Sequence, residues 1–203
     1  MIRERVLLTW LEAGIRDFYL SFELQATWTR HSNFFCHQGL EKICKAYYLA
    51  KCASSWQELP EQSALKEVDR IARLLGHDLV CFVKCMQTRR VLPGYPTCRP
   101  YSESDLLQGL EAVYIEARYP VPTPYHLHRG TQNKERFLIR SGRWKIYRNL
   151  LGGTVLADYA RYIANALLKR IEKEFGLKIP TSKVSDEVSD KQWKRFRNVF
   201  FRT

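Results

Sequence analysis

The sequence predicts an all-α protein, an antiparallel helical bundle carrying an inserted basic β-hairpin. Three observations lead there. Apolar residues recur at i, i+3, i+4 and i+7 over most of the chain, the period of a helix with one buried side. Helix stop and start signals fall between those runs, Gly76 followed by Asp78 being the clearest. And 45% of the 203 residues are hydrophobic, enough to close a core in a chain of this length.

The elements follow in order. A first helix is expected over Arg3–Thr29, with Leu7, Leu11, Phe18 and Phe22 on adjoining turns. The second, Asn33–Cys52, places Cys36, Leu40, Ile43, Cys44 and Tyr47 on one side and Gln38, Glu41, Lys42 and Lys45 on the other. Glu41 and Lys45 stand in the favourable i, i+4 order, so a solvated face with an intrahelical ion pair is one reading of that side. A third helix is expected over Glu61–Leu75, stopped by Gly76. Asp78 then caps a short helix running to Met86. Three prolines and a glycine make Thr88–Tyr101 a loop. Ser102 or Ser104 opens a helix to Ala117, and the last long helix covers Thr154–Phe175.

Residues 118–148 break the pattern. Pro120, Pro122 and Pro124 exclude a helix there. Two short runs, Arg136–Arg140 and Arg143–Arg148, flank Ser141-Gly142 and read as a β-hairpin. The expected organisation is therefore a bundle over 1–176 with 118–150 inserted. A basic polar tail follows over 177–203, with a short helix near Lys191–Phe201.

Charge narrows the function classes. The net charge is +12, which favours polyanionic partners: RNA, DNA, nucleotides or an acidic protein. Eight cations fall between residues 118 and 148 against Glu135 alone. Arg118, Arg140, Arg143 and Lys145, with Tyr147 beside them, make a set that can pair with phosphates and stack on bases. No run approaches the roughly 20 apolar residues of a bilayer helix, and Arg3, Arg5, Glu12 and Arg16 interrupt any leader core. A cytoplasmic location is expected, with no membrane association. Six cysteines without a CxxC pair read as reduced thiols, Cys81 and Cys85 as core residues. Neither a cofactor nor a metal is expected: His126 and His128 have no third ligand nearby, and no P-loop is present.

The second helix carries a more specific signal. His37, Glu41, Lys42, Lys45 and Ala46 form a His-x-x-x-Glu-Lys-x-x-Lys-Ala run. Gly76-His77-Asp78-Leu79 and Ala117-Arg118-Tyr119-Pro120 follow in order. Together these resemble the HEPN-domain family of small helical bundles, over about residues 10–120 and the last long helix. The resemblance implies a homodimer that binds a nucleotide or RNA. It also implies a prokaryotic toxin or defence setting, or one with a nucleotidyltransferase or antitoxin as partner. Lys42, Lys45, Asp78 and Arg118 are then nucleotide- or nucleic-acid-binding residues. In its ribonuclease branch the family uses an Arg and a His with four to six residues between them, acting without metal. Arg70 and His77 have that spacing here, as do Arg30 and His37. Asp78 equally reads as a helix cap. A third reading is an adaptor or antitoxin-like subunit that binds a separate protein.

Overall fold

The computed structural model describes residues 2–52, 54–89, 91–92, 94–95, 101–118, 154–182 and 188–201. Among them the architecture is all-α. The helices are α1 Ile2–Leu24, α2 Thr29–Lys51, α3 Glu61–Leu74, α4 Leu79–Thr88, α5 Glu103–Arg118, α6 Val155–Phe175 and α7 Asp190–Phe200, with a 3-10 turn at Ser54–Glu58. The hairpin expected over 136–148, with Arg140, Arg143, Lys145 and Tyr147, lies outside the described residues, as do Cys98, His126 and His128.

Helix α2 is the axis of the bundle. Its four-residue connection to α1 forces an antiparallel pair. The partners along it confirm the direction: Ser21 with Cys36, Asp17 with Lys42, and Trp10 with Lys45. At the crossing two glycines remove the side chains between the backbones. A Cβ on Gly39 would stand 2.7 Å from Phe18 Cδ2 and 2.8 Å from the Gly14 carbonyl oxygen. On its other sides α2 packs on α5 and α6, and at its end on α4 and the 3-10 turn. Trp56 in that turn is fully buried and donates its indole N–H to the Leu49 carbonyl at 3.0 Å. This enclosure overturns the solvated face expected for α2. Glu41 and Lys45 do pair, Nζ to Oε1 at 2.7 Å, but at 4% and 5% exposure.

Local chemistry sets the remaining boundaries. Gly76, at φ 59°, turns the chain out of α3 in the left-handed conformation glycine adopts without strain. Asp78 Oδ1 accepts the Cys81 N–H at 2.9 Å and caps α4. Leu79, Phe82, Val83 and Met86 form the inner stripe of α4. Cys81 and Cys85 fall on its outer side and are exposed, a correction to their expected place in the core. Gly176, at φ 67°, ends α6 in the same way.

The segment expected as a basic tail carries α7, opened by a capping box between Ser189 and Gln192. Trp193, Phe196 and Phe200 are buried against α1. The Phe18–Phe200 and Tyr19–Phe196 ring centroids are 4.8 and 5.5 Å apart, within the range of favourable aromatic pairs. Asn165 of α6 donates its amide to the Phe200 carbonyl beneath. No described helix is long and apolar enough to cross a membrane.

Candidate functional site

The strongest polar cluster forms where the α3–α4 turn meets α2 and α5. The reversal at Gly76 delivers His77 to the flank of α2. There its Nδ1 lies 2.8 Å from Glu41 Oε2, with the imidazole side chain half exposed. The other Glu41 oxygen takes Lys45, whose ammonium lies 5.9 Å from the centre of the Trp10 ring. The carboxylate holds Nδ1 and so orients the ring, with the second nitrogen of His77 outside that contact. Below it, Tyr114 of α5 stacks with both imidazoles, its centroid 4.9 Å from His77 and 4.7 Å from His37.

His37 is fully buried. Its Nε2 has no hydrogen-bond partner and stands 3.8 Å from Glu111 Oε1; its Nδ1 stands 3.9 Å from Glu41 Oε2. Glu111 accepts the Leu79 N–H and so fixes the first turn of α4 against α5. Two histidines and two carboxylates therefore meet within one interior, open to solvent only at His77. The two buried thiols of α2, Cys36 and Cys44, offer no nucleophile. Burial pushes Cys36 up to about 12, and it pushes Cys44 well up, with the Glu41 charge adding to the effect.

The expected site residues divide accordingly. His77 and Lys45 converge on Glu41. Lys42 turns to α1 and pairs with Asp17, whose carboxyl burial raises despite that ammonium. Asp78 serves the α4 cap. Arg70 is exposed on α3 and closes on Glu67, Nε to Oε2 at 2.7 Å; it does not contact His77. Arg118 is the last residue of α5, four positions beyond Tyr114 and so at the same helical register. The pairing of Glu41 with His77, and Glu111 and Tyr114 around it, were not anticipated from the sequence, and His37 stands out there only in the motif run and by its spacing from Arg30. The available signal was the ladder His37, Glu41, Lys45, three ionisable residues four apart on one helix.

Beside this cluster a groove of about 850 Å³ runs between α2 and α4, starting at Asp78. Tyr47, Tyr48, Phe82 and Met86 line it, and Lys51 and Arg89 add positive charge. Lys51 is held by Glu174 at 2.9 Å, which lowers the pKa of that carboxyl and raises that of the lysine. No protein-family model, curated protein or solved structure matches the chain.

Proposed function

We propose that the protein is a nucleic-acid-binding helical bundle of HEPN type, acting on RNA or a nucleotide as a homodimer. The observation that carries this is the placement of charge. Eight cations against one acid run from the last residue of α5 to residue 148, and the same helix stacks Tyr114 on the exposed His77. Arg118, Arg140, Arg143 and Lys145 supply phosphate contacts and Tyr147 a stacking ring. The groove beside His77, aromatic along its walls and cationic at Lys51 and Arg89, suits a base or nucleotide.

A second reading, metal-independent RNA cleavage, is favoured by one observation. His77 is an accessible imidazole oriented by a buried carboxylate, the arrangement of a general acid or base. In this reading His77 moves the proton of a ribose 2′-hydroxyl. Arg70 leaves Glu67 to meet the phosphate charge, across the interface of two copies.

The test is incubation of the purified chain with labelled structured and unstructured RNA in EDTA. Salt-sensitive binding is expected. Arg143→Ala with Lys145→Ala should lower the salt slope by about 1.4, at about 0.7 per phosphate contact on single strands. Cleavage by the wild type that disappears in His77→Ala would establish the enzymatic reading. Neither binding nor cleavage would turn attention to a protein partner, with the bundle as an adaptor.

A further inference from the structure

We propose that a recess along the outer edge of α7 is a second contact for single-stranded RNA, separate from residues 118–148. This rests on the nucleic-acid-binding reading and assigns it a place. Thr181, Trp193, Lys194, Arg197, Asn198 and Phe201 line the recess, an open depression of about 760 Å³. Asp190 lines it too, at the first turn of the helix. These positions repeat at three and four residues, so they form one continuous edge about 16 Å long at 1.5 Å per residue.

The cations of that edge differ from many others in the molecule. Elsewhere Arg5, Lys42, Lys51, Arg70, Arg73, Arg161 and Arg170 each close on a carboxylate. The side chains of Lys194 and Arg197 make no ion pair or hydrogen bond among the described residues, and those of Lys191 and Arg195 on the same helix are likewise without one. Unpaired cations beside the half-buried Phe201 ring, with the Asn198 amide between them, match what a single strand presents: phosphates, a base face and base edges.

The packing of α7 excludes the other use of a basic amphipathic helix. Insertion into a lipid surface requires a free apolar stripe. Here Trp193, Phe196 and Phe200 are already committed to α1 and the core. The aromatic anchor instead fixes the helix that carries the cations, so little backbone freedom is left to be lost on binding.

The experiment compares wild type, Lys194→Ala/Arg197→Ala and Arg143→Ala/Lys145→Ala for binding of a fluorescein-labelled uridylate 12-mer over a salt series. The α7 pair is expected to bind at least tenfold more weakly at low salt, with the slope reduced by about 1.4. Lys194→Arg/Arg197→Lys, which keeps both charges, should hold the slope. Both side chains are exposed, so circular dichroism and the urea midpoint should not move. Unchanged affinity and slope in the α7 pair, with wild type binding, overturns the recess and leaves the broader reading intact. A wild type that binds no RNA overturns both. Loss confined to phosphatidylserine vesicles, with RNA binding unaffected, overturns it in favour of an anionic lipid surface.

Discussion

Glu41 sits at 4% exposure with one oxygen on Lys45 and the other on His77. Desolvating a carboxylate and an ammonium costs several kcal/mol each, which their attraction roughly offsets while both remain. Removing one partner leaves the other charge buried alone. Glu41→Gln should therefore lower the unfolding free energy by about 3 kcal/mol in urea titrations. Lys45→Met in the same chain should recover most of that loss. If the single variant unfolds at the wild-type midpoint, the pair is not buried as described. At this scale the sequence was readable wherever the partner was local. Gly76 and Asp78 declare the end of one helix and the cap of the next through backbone geometry within three residues. The His77–Glu41 contact spans 36 positions, and no local rule brings such residues together.

Helix α1 and helix α2 touch through their backbones at Gly14 and Gly39. A methyl group on Gly39 would meet the Phe18 ring and a carbonyl oxygen, and the carbonyl cannot move without bending α1. Alanine normally gains about 1 kcal/mol over glycine inside a helix, while overpacking costs about 1 to 3 kcal/mol. With contacts below 3 Å on two sides, the clash wins. Gly39→Ala should destabilise by about 2 kcal/mol in the same titrations, against the helix propensity scale. Helix existence and boundaries were legible from period and caps, because both are carried by neighbouring residues. Which face of α2 is wet was not. Polar side chains at Glu41 and Lys45 look solvated until α5 and the α3–α4 turn close over them. The same applies in reverse to Cys81 and Cys85, small thiols that either side of α4 accepts.

For the whole molecule, α7 closes the bundle by setting three aromatic side chains against α1. Phe196 is 1% exposed and contacts Tyr19, Phe22, Trp193 and Phe200. Phe196→Ala should cost about 3 to 5 kcal/mol, visible as a large fall in thermal midpoint and a rise in dye binding to the exposed aromatics. A tail that was only a solvated appendage would show neither change. Charge, by contrast, was legible at this scale from the start. It bears on partners and not on fold, which is why it favours polyanionic ligands while the helices alone point to no ligand.

The pairing of α1 with α7 also orders events in time. Roughly 165 residues separate Leu24 from Asp190. At translation rates of about 5 to 20 residues per second, the ribosome finishes α1 some 10 to 30 s before α7 exists. Through that interval Phe18, Tyr19 and Phe22 have no cover from α7. The nascent chain thus carries a sticky aromatic face, which a chaperone can occupy and which a stalled or truncated product would keep.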